Sequence, residues 1–189
     1  GDLVILDHDG STIYTMRVDD LYPDTHFDDI AIADFRGIGK PEILTEKGVL
    51  IDFDGNIIWN VSDQFDHGQW IAHAKHPDGS GERIFITELH GVNGKSAIFT
   101  GHGEKIADIT HLPRTVLDPV ALPGWSVETT RCHTVRWTPD DDPQFFFAEQ
   151  TVCPTSHDSF HTRPFILNAF FIDLDGNLIG APDMERTAG

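Results

Sequence analysis

Four stretches of the chain share one form. Residues 3–14 (LVILDHDGSTIY), 48–59 (GVLIDFDGNIIW), 96–107 (SAIFTGHGEKIA) and 169–180 (AFFIDLDGNLIG) each run apolar strand, glycine-ended turn, apolar strand. Their turn glycines, Gly10, Gly55, Gly103 and Gly176, stand 45, 48 and 73 residues apart. The last interval therefore carries insertions. A second unit lies between the hairpins: AIADFRGIGKPEIL (31–44) aligns with AHAKHPDGSGERIF (72–85) and more loosely with TVRWTPDDDPQFFF (134–147). Two different hairpins per repeat of this length is the pattern of a four-stranded propeller blade.

Short β-rich runs at 3–6, 30–33, 48–51, 83–87, 96–100, 144–148 and 165–172 alternate with Asp-Gly, Gly-Asn and Pro turns, and no stretch shows helical period with caps. The spacing predicts an all-β chain of β-propeller blades, each of four antiparallel strands. About three and a half to four blades are present, as a partial propeller or part of a larger ring. One domain is expected over 1–189, with repeats at about 1–29 (partial), 30–70, 71–125 and 126–189. Asp-Gly pairs suit two-residue type I′ turns. A closed ring normally takes four or more blades, and an open arc exposes strand edges that proteins usually cover. Self-association or additional blades are therefore expected.

Lys plus Arg total 13 against 31 Asp plus Glu, a formal charge of −18. That balance excludes nonspecific nucleic-acid binding, which needs a basic footprint. An acidic ligand would have to be met by a local cationic group working against the overall field. No apolar run reaches the ~20 residues of a membrane helix. The sequence opens on Gly rather than Met, as in a processed chain, a fragment or an incompletely known one. The Lys-poor acidic composition and the sequon Asn60-Val61-Ser62 are compatible with an extracellular or periplasmic protein.

Several residues carry candidate chemistry. The stretch DHGQWIAHAKH (66–76) holds three histidines, but strand alternation separates them. His67 falls in a loop entering a strand, His73 on that strand beside Ile71 and Lys75, and His76 in the turn surface that follows. His67 and the comparable loop residue His90 suit acid–base work, because imidazole titrates near neutrality. His133, Cys153, His157 and His161 together offer one thiolate and three imidazoles, a set zinc accepts tetrahedrally as a structural metal. A Cys132–Cys153 disulfide and plain exposed histidines are the alternatives. The acidic turns DHDGS, DFDGN and DLDGN make calcium the other candidate ion, although Asp-Gly is also ordinary hairpin chemistry. In DFRGIGKPE (34–42), Arg36 and Ile38 occupy positions where calcium would want ligands.

The stretch DHGQWIAHAKHPDGSGERIFITELHG, with ADFRGIGKPEIL and LIDFDGNIIW, resembles the β-propeller polysaccharide lyases, namely the rhamnogalacturonan lyases and the ulvan lyases. The resemblance covers roughly the middle two-thirds of the chain. It implies β-elimination on an acidic, uronate-containing polysaccharide. By position, it makes His67 and His90 the acid–base pair and Arg131 the group that neutralises the uronate carboxylate. It also makes the Cys/His set a structural zinc site. The chain departs from the family in having only Tyr14 and Tyr22, and in being about half the length of a complete propeller lyase.

Two other functions fit the same residues. A noncatalytic carbohydrate-binding or adhesive propeller would use Trp59, Trp70, Trp125 and Trp137 as sugar-stacking faces. A structural subunit would close its incomplete ring with neighbouring copies, giving an oligomer or filament.

Overall fold

A computed structural model describes residues 2–17, 28–65, 68–88, 96–109, 126–140, 142–152 and 165–180, with the backbone alone at 126–131, 149–152 and 165–168. These residues form fourteen strands and one short 3₁₀ turn, Ser62–Gln64. The strands are β1 (Asp2–Leu6), β2 (Thr12–Arg17), β3 (Ile30–Ala33), β4 (Glu42–Thr45), β5 (Val49–Ile51), β6 (Ile57–Asn60) and β7 (Gly68–Lys75). They continue as β8 (Glu82–Glu88), β9 (Ala97–Thr100), β10 (Lys105–Asp108), β11 (Ser126–Val135), β12 (Gln144–Val152), β13 (Phe165–Ile172) and β14 (Leu178–Gly180). The expectation of an all-β chain with four-stranded antiparallel sheets holds. β3–β6, β7–β10 and β11–β14 are each a four-stranded meander in chain order, and β1–β2 is a two-stranded sheet.

The sheets pack face to face in the same order. In β5, Val49 and Ile51 turn with Met16 toward β1–β2, while Leu50 turns the other way. Leu50 joins Phe35, Leu44, Ile84, Ile86 and Phe99 between the second and third sheets. Alternate residues of the third sheet, Phe85 and Ile98, meet Phe145, Phe147, Phe170 and Ile172 of the fourth. One strand thus serves two cores, because successive side chains point to opposite faces. That is why β4, β5 and β8 are buried along their whole length. The opening strands of successive sheets are also neighbours, β3 beside β7 and β7 beside β11.

The acidic hairpins differ from the two-residue turns expected. In each, an aspartate carbonyl accepts the N–H of the turn glycine three residues on, and the aspartate N–H bonds the residue after that glycine. Gly10, Gly55 and Gly176 lie at φ 84°, 86° and 89°. This is a longer loop ending in a left-handed glycine bulge. In two of them the first aspartate holds the loop: Asp52 Oδ1 accepts the N–H groups of Asp54 and Asn56, and Asp173 Oδ1 those of Asp175 and Asn177. In the first hairpin Asp9 Oδ1 accepts the Ser11 N–H.

These turns register each sheet on the one before. A Cβ on Gly55 would lie 2.2 Å from the Tyr14 ring, one on Gly103 2.8 Å from Trp59, and one on Gly176 2.7 Å from Ala107. Trp59 Nε1–H also donates to the Gly101 carbonyl at 3.0 Å. A Cβ at Gly101 itself would sit 1.8 Å from the Phe35 carbonyl oxygen. Gly101→Ala is therefore expected to cost about 1–3 kcal/mol by overpacking. It should lower the urea midpoint with little change in the slope of the transition.

Candidate functional site at the loop-bearing end

Antiparallel order sends every second connection to the same end of the stack. The joins at 7–11, 52–56, 76–81, 101–104 and 173–177 are compact turns at one end. The opposite end holds the tight β4–β5 turn at 46–48, the end of β2, β6, β8, β10 and β12, and the start of β3, β7, β9, β11 and β13.

At that end the scaffold is polar and buried. Thr45, Glu46, Lys47, Gln69, Thr87, Glu88 and Ser96 are all buried. Some are bonded: Thr45 Oγ1 accepts the Val49 N–H at 3.3 Å, and Asp29 Oδ2 accepts the Ile71 N–H at 2.9 Å, tying β7 to the base of β3. Others are not. Both carboxyl oxygens of Glu46, the Lys47 ammonium and Gln69 Oε1 lack a hydrogen-bond partner among the described residues. Burial pushes the Glu46 carboxyl up to about 7, helped by the Asp28 charge and opposed by nearby backbone amides and Lys47. Gly68 draws these groups together, since a Cβ there would lie 1.9 Å from the Glu46 carbonyl oxygen and 3.4 Å from Lys47 Cα. Only glycine lets the start of β7 rest on the β4–β5 turn.

Gly68 pairs with Glu88 across β7 and β8. β7 therefore begins where β8 ends, and its first residue lies on the backbone of Glu46 and Lys47. His67 and His90 themselves lie outside the described residues, as do Cys153, His157 and His161. Arg131 is in β11, with its side chain outside the description. His133 is exposed, paired with Phe146 across β12. Among the described residues no group of three His, Cys, Asp or Glu is placed to hold a metal ion. Cys132 is a buried free thiol rather than half of a disulfide, with its sulfur 3.9 Å from the Phe85 carbonyl. Burial, with the Asp29 charge, holds that thiol protonated.

His76 is a correction. It was expected as turn surface, yet its ring is largely covered and bridges Asp78 at 2.6 Å and Asp175 at 3.4 Å. Asp175 also takes Arg83 at 3.3 Å. The acidic hairpin of the fourth sheet reaches these groups of the third, so what looked local is an inter-sheet contact. His73 is bonded to Glu82 at 3.2 Å and packs edge-on against Phe35. The tryptophans also divide. Trp59 is half-buried and bonded, and Trp70 packs on the core. Trp137 is 66% exposed and stacks on Phe171 with ring centroids 4.5 Å apart. Sequence reading missed Glu46 and Lys47. The signal available was two opposite charges interrupting an otherwise apolar hairpin.

The described residues form an all-β stack of meanders with buried, unpartnered polar atoms gathered at one end. No family model matches the chain, and no curated protein matches it. Among solved structures it is similar to the crystal structure of the rhamnogalacturonan lyase YesW, at 16% identity and a TM-score of 0.51. The match covers 90% of this chain and 24% of that one, so the chain spans about a quarter of that protein's length. At this identity the likeness is one of fold. No helix among the described residues is long and apolar enough to cross a membrane.

Proposed function

We infer that the chain is an arc of a β-propeller whose loop-bearing end acts on an acidic, uronate-containing polysaccharide by β-elimination. The observation that carries this reading is the fold likeness to a rhamnogalacturonan lyase over 90% of the chain. The neighbouring positions of β3, β7 and β11 support the propeller, since opening strands of successive blades line a common axis. In the reaction, Arg131 pairs with the uronate carboxylate, and a planar bidentate donor suits that group. The pairing acidifies the proton at C5. One of His67 and His90 removes that proton, the freed electron pair forms the C4–C5 double bond, and the C4–O bond breaks. The other histidine protonates the departing oxygen. An extracellular or periplasmic location accords with such a substrate.

Incubation with rhamnogalacturonan or ulvan should raise the ultraviolet absorbance of an unsaturated uronate. His67→Ala should lower that rate by about a hundredfold or more with an unchanged circular dichroism spectrum. Full activity in the variant would remove His67 from the mechanism. The exposed Trp137 favours a second reading, noncatalytic carbohydrate binding. Retention of polysaccharide without unsaturated product would select it. Val4, Leu6 and Ile13 are exposed on the outer face of β1–β2 and support self-association or further blades.

A further inference from the structure

We propose that Lys47, Glu46 and Gln69 form a buried binding site for the carboxylate and an adjacent hydroxyl of a uronic acid. Its residues are other than Arg131, the one that elimination uses. The inference rests on the proposed reading that the ligand is an acidic polysaccharide, and it names the residues that recognise it.

The three groups are complementary to such a ligand and not to each other. Lys47 is 4% exposed and Gln69 7%, while Glu46 is fully covered, yet the Lys47 ammonium, both Glu46 carboxyl oxygens and Gln69 Oε1 have no hydrogen-bond partner among the described residues. Leaving an ammonium buried without an anion costs far more than leaving it in water. Its sequence neighbour Glu46 forms no hydrogen bond with it. A ligand carboxylate supplies what is lacking. One oxygen accepts from the Lys47 ammonium, and the other from the O–H of a protonated Glu46. Gln69 Oε1 then accepts a sugar hydroxyl. A neutral sugar would leave Lys47 unpaired. The chain's −18 charge makes a local cation necessary for any acidic ligand, and Lys47 supplies one.

Protonation of Glu46 is needed for its part. Once ionised it repels the incoming carboxylate, so affinity falls as pH rises through about 7. Lys47 on its own turn and Asp28 ahead of β3 act on its charge, and Asp29 beside Asp28 and the buried Glu88 at the end of β8 are further charged groups at that end. Gln69 on β7 and Thr87 and Ser96 flanking the β8–β9 join carry no charge.

Galacturonate and galactose, titrated separately and followed by NMR, test the site. Galacturonate should bind at about pH 6, and at least about fivefold more weakly at about pH 8, while galactose should not bind. Lys47→Met should weaken galacturonate by about tenfold or more, yet melt no lower than the native chain, because it removes a buried unpaired charge. Glu46→Gln should bind with no pH dependence. Gln69→Leu, which leaves both charges in place, should also weaken binding and serves if Lys47→Met does not fold. Equal binding of galactose, unchanged affinity in Lys47→Met or Gln69→Leu, or no galacturonate binding at either pH would overturn the proposal. Lysine-dependent binding without unsaturated product would sink the elimination reading alone. Elimination with an unchanged KM in Lys47→Met would sink this one alone.

Discussion

Phe85→Ala is expected to remove about 3–5 kcal/mol of stability, the largest loss from any single truncation considered for this chain. The ring is fully buried and packs against Phe145 at 5.4 Å and Phe147 at 5.3 Å, across the junction of the third and fourth sheets. Flanking backbone is fixed in two ladders, so the neighbours cannot close over the void. Small domains hold only about 5–15 kcal/mol in total, so the variant should unfold at a much lower urea concentration. Phe85→Leu, which keeps most of the volume, should cost under about 1.5 kcal/mol. Similar midpoints for the two variants would show that the aromatic junction contributes little.

Glu46→Gln is expected to stabilise the chain at about pH 8 and to leave it unchanged at about pH 4. The carboxyl titrates near 4.5 when exposed and at about 7 in the fold. Below 4.5 it is protonated in both states and imposes no penalty. As pH rises, the unfolded chain ionises first and gains solvation that the buried group cannot match. Native stability therefore drains away between 4.5 and about 7 and is constant above that. The loss is on the order of 3 kcal/mol, and glutamine, which does not titrate, avoids it. Thermal melting across this range should give a falling curve for the native chain and a flatter one for the variant. Parallel curves would place the Glu46 carboxyl in contact with water.

The repeat was legible because its determinants are local. A glycine at positive φ, an aspartate that binds the amides beyond it, and alternating apolar positions specify a hairpin from a dozen residues. β3 and β13 fall at the bounds the pattern predicts, 30–33 and 165–172. The turn geometry was misread because Asp-Gly pairs alone do not show that Asp52 and Asp173 gather two amides each. His76 was misread because Asp175, its partner, lies about a hundred residues away. The burial of Glu46 and Lys47 was invisible for the same reason. It follows from the start of β7 lying on their backbone, an approach visible in sequence only as the glycine at 68. Periodicity reports which face of a strand is apolar; it does not report what the next sheet lays across its end.

Tyr14, Trp59 and Ala107 hold the twelfth position of the first three repeats, and each receives the turn glycine of the repeat that follows. These contacts couple each sheet to the next, as in a one-dimensional lattice. Its free energy is close to a sum over junctions, and order begun at any sheet spreads to the adjacent one. Because the same position sets every junction, the offset from sheet to sheet is renewed at each step, and an error at one is not inherited by the next.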